Sequence, residues 1–213
     1  AIAKFRLTEE KDTYFLAWTT TPWTLIGNVA LAINPILTYV KIKQNKEYYI
    51  LAKDRLQEIK EKYEKVEEFK GTKLVKKAYE SLYQIPSEKK GHYVVDGGNE
   101  VTATDGTGIV HMALYGEFDY RMVRKYDLPV VQHISQQGKI HKGPQEWHGL
   151  WFKKADEKVL QDLEKRNLLY RSEPYQHEYP FCYRCETPLF YNAVDSWFVD
   201  IQKIKEKLLK KNK

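Results

Sequence analysis

Cysteine is scarce in this 213-residue sequence, which has only Cys182 and Cys185. In a reducing compartment, a pair this close favours metal ligands or a redox motif over a structural disulfide. No run of about 18 apolar residues is present to span a membrane, and the N-terminus lacks the pattern of a secretory signal peptide. We therefore expect a soluble, cytoplasmic protein with no membrane partner.

A basic surface is also largely missing, although the formal net charge is +6. The last thirteen residues, 201–213, hold six lysines against one glutamate, so this tail carries +5 and residues 1–200 only +1. Charge alone therefore does not indicate RNA binding. The tail itself is predicted to be an amphipathic helix. Its apolar face would consist of Ile201, Ile204, Leu208 and Leu209.

Hydrophobic residues are plentiful at 42%, with 16 Tyr, 8 Phe and 5 Trp, which is enough for one domain with a core. β-Branched and aromatic segments separated by turn residues predict many short strands. We place these strands at 13–18, 28–33, 39–43, 47–52, 64–70, 100–104, 109–112 and 129–134, with helices at 55–63, 117–126 and 154–167 and a loop at 87–98. Strands and helices do not alternate regularly, so the predicted fold is mainly β with inserted helices (α+β), a mostly antiparallel β-barrel.

The most specific segment is Trp18 to Leu25, which reads WTTTPWTL and is followed by Asn28. Three consecutive threonines at the end of a strand gather hydroxyls and backbone amides that could hold a carbonyl, a ribose hydroxyl or a water. Without other information, such a run is more often explained by β-propensity and helix capping than by an active site.

Two further segments carry distinctive motifs. Residues 105–113 read DGTGIVHMA, a tight turn followed by a short apolar strand, and residues 177–185 read HEYPFCYRC, with SWFV at 196–199. Together with WTTTPWTL, these motifs resemble the editing domain of isoleucyl-tRNA synthetases, in order and over nearly the whole chain. The resemblance implies an editing domain at 1–200, with 171–200 as its exit segment, and a tail at 201–213 that leads back to a catalytic domain. It implies no aminoacylation by this chain, which lacks the HIGH and KMSKS signatures.

The resemblance also implies site residues. Thr20 and Thr21 would contact the substrate, and Thr21 with Asn28 would place an attacking water. Asp119 would bind the α-ammonium group of the misattached amino acid. The predicted catalytic residues are therefore Thr20, Thr21, Asn28 and Asp119, and the predicted substrate-binding residues are Thr19, Trp23, Gly106, Thr107, Gly108, His111 and Tyr179.

Some of these roles have structural alternatives. His111 would line the side-chain pocket, although a lone histidine on an apolar strand is often a core residue. Trp23 and Tyr179 would stack on the terminal adenine or wall the pocket. The loop between His111 and Asp119 is one residue shorter than the family pattern, which keeps Glu117 as a substitute for Asp119.

Cys182 and Cys185 form a single C-x-x-C, which is half of a four-cysteine zinc site. A second pair elsewhere in a full-length enzyme would complete it, whereas a local site that adds His177 lacks a fourth ligand. We expect no cofactor for editing itself.

The predicted function is hydrolysis of the ester of valyl-tRNA(Ile), with valyl-adenylate as a further substrate. The predicted partners are the valine-carrying 3′ end of tRNA(Ile) and the catalytic domain of the same synthetase. The alternatives are a tRNA-docking module without hydrolysis and the editing domain of a valyl or leucyl enzyme.

Overall fold

The computed structural model describes residues 1–212, so Lys213, the last residue of the predicted tail, lies outside the described residues. The strands are β1 (Ile2–Arg6), β2 (Thr13–Trp18), β3 (Ala30–Ile33), β4 (Thr38–Gln44), β5 (Glu47–Ala52), β6 (Glu64–Lys70), β7 (Val94–Asp96), β8 (Val110–Met112) and β9 (Leu169–Arg171). The α-helices are α1 (Glu117–Lys125), α2 (Ala155–Lys165) and α3 (Ile201–Lys211). Short 3-10 turns connect several strands, among them Pro22–Gly27.

The strands of the described residues form one curled sheet in the order β6-β4-β5-β2-β8-β3-β7, with β1 pairing both β2 and β9. The pairs β1–β2, β1–β9, β3–β8, β4–β5 and β4–β6 are antiparallel. The pairs β2–β5, β2–β8 and β3–β7 are parallel. The predicted class of strands with inserted helices is therefore confirmed, but the barrel is open and mixed instead of closed and antiparallel.

The mixture of parallel and antiparallel pairs follows from the connections that bring β5 and β8 next to β2. Hairpins of consecutive strands pair antiparallel, and β4–β5 is such a hairpin, but β5 and β8 reach β2 through longer connections that run them in the same direction as β2. β2 pairs with β5 through Thr13 to Phe15 and with β8 only at Trp18. The sheet therefore divides at the carboxyl end of β2.

β2 is buried on both faces, and it is apolar or aromatic at every position after Thr13. Phe15 and Ala17 pack into the main core, while Tyr14 and Leu16 pack on the opposite face against residues of β4 and β5. A strand covered on both sides loses the alternation of polar and apolar residues seen in half-exposed strands. The segment after β2 therefore begins at a strand that is held in place by packing on both faces.

Several predicted elements match the structure in type and place, and four differ. The predicted helix at 55–63 is a 3-10 segment at Lys53–Glu58. The predicted loop at 87–98 contains β7, while 100–104 forms no strand. The predicted strand at 129–134 contributes only the isolated bridge Ile134↔Ile140. No helix in the described part of the chain has the length and apolar character needed to span a membrane.

Candidate functional site

The threonine loop, Thr19–Thr21, begins where the sheet divides. It leaves β2 after Trp18 and enters the 3-10 turn Pro22–Gly27, whose side chains are all buried. Proline is suited to the first turn of a helix because it has no amide hydrogen to leave unbonded. The loop is thus held between a buried strand and a buried turn.

Hydrogen bonds to and from threonine hydroxyl groups hold this loop in place. The amide of Thr21 donates to Oγ1 of Thr19 at 3.0 Å, and the hydroxyl of Thr24 donates to the carbonyl of Thr21 at 2.7 Å. Nε2 of His111, on β8, lies 3.0 Å from Oγ1 of Thr24. Because the hydrogen of the Thr24 hydroxyl is already donated, Nε2 must be the donor in this contact. The sequence motif at 18–25 and the histidine motif therefore meet in one network.

His111 is consequently a neutral imidazole with its hydrogen on Nε2. Burial lowers its pKa to about 4, which keeps the ring neutral at physiological pH. Its Nδ1 is buried and has no hydrogen-bond partner in residues 1–212. The ring therefore keeps one free acceptor.

Thr20 differs from its two threonine neighbours. Among the described residues neither its amide nor its hydroxyl has a hydrogen-bond partner, although its side chain is only half-buried. Thr19, in contrast, is buried and accepts from Thr21. Thr20 is thus the member of the loop whose polar groups are free to bind a ligand.

Asp119 and Glu117 both lie in the first turn of α1 but face different surroundings. The Glu117 side chain is 89% exposed. The Asp119 carboxylate turns inward, accepts from the amide of Ala113, and lies so close to Gly116 that a Cβ there would be 2.7 Å from Oδ2. Burial raises the pKa of Asp119 to about 7. The structure therefore favours Asp119 over Glu117 as an ammonium-binding acid, since an opposing charge would stabilise its ionised form.

Trp23 lies in the core. Its side chain is 2% exposed and packs edge-on against Tyr115 and Phe152 at centroid distances of 4.7 and 4.9 Å. In this position the ring anchors the turn by packing and exposes no face to a base. The predicted roles in stacking on adenine or walling the pocket stay predictions.

Asn28 is also an interior residue. Its amide nitrogen donates to the carbonyl of Ala30 at 2.9 Å, and its amide oxygen accepts from the hydroxyl of Tyr79 at 2.6 Å. The residue is 5% exposed. Because both its amide nitrogen and its amide oxygen have partners, the side chain holds the start of β3, and its predicted role in placing a water stays a prediction.

The turn 105–108 packs against the sheet beside Trp18. Gly106 and Gly108 have positive φ, and a Cβ at Gly108 would lie 2.4 Å from that of Ala52. Glycine is needed at such positions because other residues are strained there. Thr107 is 1% exposed and its hydroxyl donates inward to Ile109, so its side chain has no surface for a substrate. Only the backbone of this turn stays a predicted contact.

Tyr179 is half-buried in the exit segment, with Nζ of Lys153 3.7 Å from its ring centroid and its hydroxyl donating to the carbonyl of Leu189. The ring is therefore occupied by a cation–π contact on one face. An adenine-stacking role for it stays a prediction.

Cys182 and Cys185 lie on one tight turn. The amide of Glu186 donates to the carbonyl of Cys182, and Sγ of Cys185 is 3.2 Å from Oγ1 of Thr187. That hydroxyl contact lowers the pKa of Cys185. Within residues 1–212 no three His, Cys, Asp or Glu side chains form a cluster that could hold a metal ion. A zinc half-site at this pair stays a prediction for a longer enzyme.

Sequence reasoning missed three residues that hold the loop. Thr24 belongs to the motif and could have been identified from it. His133 and Asp156, which contact the backbone of Trp23, stand in segments that carry no motif. Only the folded chain brings them to the site.

Solved structures similar to this chain are editing domains of aminoacyl-tRNA synthetases. The crystal structure of GlLeuRS-CP1 has a TM-score of 0.63 at 16% identity and covers 82% of this chain and 99% of its own. The editing domain of the P. knowlesi cytosolic leucyl-tRNA synthetase has a TM-score of 0.56 at 14% identity and covers 78% of this chain and 93% of its own. At such identities the likeness establishes the fold alone, which this chain shares with the connective-peptide and editing domains of leucyl-tRNA synthetases.

Sequence relatives specify which synthetase. The chain is 47% identical over 214 residues to the isoleucine-tRNA ligase of Clostridium acetobutylicum and 48% identical over 216 residues to that of Clostridium novyi, in both cases across 100% of this chain and 21% of the relative. Isoleucine-tRNA ligase 2 of Bacillus anthracis is 40% identical over the same coverage. The chain spans about a fifth of the length of these relatives. No family model matches it. The chain is therefore homologous, over its whole length, to a segment of isoleucine-tRNA ligases.

Proposed function

We propose that this chain hydrolyses the ester of valine wrongly attached to tRNA(Ile), as the proofreading part of an isoleucyl-tRNA synthetase. The observation that carries the proposal is the joining of the threonine loop to His111 by hydrogen bonds, with the inward carboxylate of Asp119 following the same strand. It draws support from the full-length homology to isoleucine-tRNA ligases. A cytoplasmic location follows, because protein synthesis takes place there.

Asp119 supplies the contact to the amino acid. A misacylated tRNA end presents a free α-ammonium group next to its ester carbonyl. A buried carboxylate with a raised pKa gains its charge when it meets such a cation, so the contact also orients the ester. Glu117 cannot replace it in this geometry, since its side chain points to solvent.

Thr20 supplies the groups that act on the ester, and His111 holds the loop that carries them. Water attacks the carbonyl directly, and the proposal includes no covalent intermediate. The unpartnered amide and hydroxyl of Thr20 are suited to hold the developing oxyanion, while Nε2 of His111 fixes the loop through Thr24. Placement of the water by Thr21 and Asn28 stays part of the proposal, with Asn28 acting from an interior position.

A second hydrolytic site is needed because one methylene contributes only about 1–3 kcal/mol of discrimination in an apolar pocket. Isoleucyl-tRNA synthetases are a standard worked case of this limit, with about 150-fold preference for isoleucine over valine. A site that admits valine and excludes isoleucine removes the remaining errors. The substrates we propose are valyl-tRNA(Ile) and, from the same pocket, valyl-adenylate.

The experiment that tests the proposal measures release of labelled valine from valyl-tRNA(Ile) by the full chain, beside buffer and beside Thr20→Val. Release well above buffer that falls in the variant is the expected result, because valine keeps the shape of threonine but removes the hydroxyl. Tight tRNA binding with no release above buffer would replace this account with a docking module.

A further inference from the structure

The peptide groups of Trp23 are held from two sides. Its amide donates to Oδ1 of Asp156 at 2.8 Å, and its carbonyl accepts from Nε2 of His133 at 3.1 Å. Asp156 belongs to α2, and His133 to the segment between α1 and α2, so the partners lie 133 and 110 residues away in the chain. Two distant elements thus converge on one residue of the turn that follows the threonine loop.

Asp156 acts as the cap that this turn lacks. Pro22 has no amide hydrogen, and no side chain of Thr21 caps the turn, so the amide of Trp23 is its first free donor. A cap normally comes from the residue just before the turn and contributes about 1 kcal/mol of stability. Here a half-buried aspartate from a different helix provides the acceptor.

His133 is fixed as a donor by Tyr115. The hydroxyl of Tyr115 accepts from the amides of His133 and Ile134, at 3.0 and 3.1 Å, which occupies both of its lone pairs. It must therefore donate its own hydrogen to Nδ1 of His133, 2.9 Å away, and this leaves the imidazole hydrogen on Nε2. Burial lowers the pKa of His133 to about 3, so the ring stays neutral.

The clamp that Asp156 and His133 form on the Trp23 backbone is connected to the threonine loop and His111 through the turn Pro22–Gly27. Thr21 precedes it and Thr24 lies inside it, and Thr24 is the residue that contacts His111. A displacement of the Trp23 backbone would therefore move the hydroxyls and the histidine together. We infer that Asp156 and His133 are positioning residues that set the geometry of the threonine site, an inference that rests on the proposed function.

The test compares Asp156→Ala, which removes the acceptor, with Asp156→Asn, which keeps it at Oδ1 and removes the charge. Valine release from valyl-tRNA(Ile) is measured with the full chain, together with its Tm. Loss of positioning predicts a kcat lower by about tenfold to a hundredfold in Asp156→Ala, with KM within about threefold. Asp156→Asn should stay close to the unmodified chain. Glu157→Ala is the matched control, because Glu157 lies in the same helical turn and bonds only to Gln161 on the surface.

Hydrogen exchange of the Trp23 amide gives a readout independent of activity, and it should accelerate at least about tenfold in Asp156→Ala but not in Asp156→Asn. An unchanged kcat in Asp156→Ala, or an equal loss in Asp156→Asn, would overturn the inference. Asp156→Glu, whose acceptor is displaced by one methylene, replaces Asp156→Ala if that variant does not fold, and should lower kcat in the same way. If the unmodified chain releases no valine, the proposed function fails and hydrogen exchange alone decides the clamp.

Discussion

The threonine loop and the exit segment carry similar residue types but are built in opposite ways. In the loop and its turn, Trp23 is 2% exposed and the hydroxyls of Thr19, Thr21 and Thr24 have partners close by, whereas Nε1 of Trp23 and the polar groups of Thr20 have none among the described residues. In the exit segment, 171–200, Trp197 is 103% exposed and Tyr183 is 90% exposed, and the backbone is mostly irregular. Aromatic residues stabilise the first region from within and are displayed on the surface in the second.

This difference indicates which part of the fold holds its side chains in fixed positions. Catalytic groups must be held within fractions of an ångström, and here a buried tryptophan and backbone hydrogen bonds do so. We therefore expect the candidate site to be sensitive to changes in its packing, and the exposed aromatic residues of the exit segment, such as Trp197, to tolerate replacement.

The largest expected difference is in stability, between replacing Trp23 and replacing Trp197 with alanine. Trp23→Ala should lower the free energy of unfolding by about 3–5 kcal/mol, because it empties a packed site. Trp197→Ala should change it by less than about 0.5 kcal/mol, since its ring contacts solvent. Urea unfolding followed by circular dichroism measures both. Similar losses in the two variants would contradict the comparison.

Asp119→Asn should reduce kcat/KM for valyl-tRNA(Ile) by about a hundredfold, because a neutral amide cannot pair with the α-ammonium group. Glu117→Gln, on the same helical turn but exposed, should leave the rate within about twofold. Single-turnover release of labelled valine distinguishes them. A larger loss in Glu117→Gln would transfer the ammonium contact to that residue.

The rate should also depend on pH through Asp119. With a pKa near 7, its carboxyl is protonated in the free chain below that pH, so kcat/KM should fall about tenfold per unit as pH decreases below about 7. His111, with a pKa of about 4, stays neutral across this range. A pH profile from 5 to 8 checks this. In Asp119→Asn the descending limb should vanish, and its persistence would assign it to another group.

A smaller effect is expected on stability. Because the pKa of Asp119 is raised above its ordinary 3.8, the folded state binds this proton more tightly, and stability is lost as pH rises from about 4 to about 7. Asp119→Asn removes that cost. It should raise Tm by on the order of 2–4 °C at pH 8 and leave it unchanged at pH 4, as differential scanning calorimetry would detect. A lower Tm at pH 8 would mean that the carboxylate stabilises the fold.

The smallest effect is expected from the cysteine pair. Replacing Cys182 and Cys185 with serine should change Tm by less than about 1 °C, because Cys185 is exposed and the turn is held by backbone hydrogen bonds. The same melts with one equivalent of zinc show whether the pair binds metal in this chain. A zinc-dependent rise in Tm lost in the double variant would show that the local ligands suffice.

Much of the fold was predictable because local pattern and final pairing agree. β2, β5 and β6 match their predicted bounds, since their residues favour strands wherever they lie. β7 was not predictable, because Val94–Asp96 is stabilised by parallel pairing with β3, a contact between residues about 60 apart. The predicted strand at 129–134 failed for the converse reason, since His133 faces Trp23 and Tyr115 instead of a ladder.

The candidate site, like the fold, was predictable from the sequence only in part. The motifs predicted that the threonine loop and His111 come together, and the hydrogen bond between Thr24 and His111 shows that they do. They could not separate the exposed residues from the buried ones, so the predicted substrate-contacting residues include Trp23, Asn28 and Thr107, which are nearly fully buried. Burial depends on tertiary packing, and no residue-by-residue pattern at these positions carries it.

The most direct test of the central claim is the ratio of kcat/KM for valyl-tRNA(Ile) to that for isoleucyl-tRNA(Ile), measured with the full chain under single-turnover conditions. A proofreading site predicts rapid loss of valine and a ratio of about a hundred or more, since only the smaller side chain is admitted. Equal rates for the two esters, or none above buffer, would contradict the account.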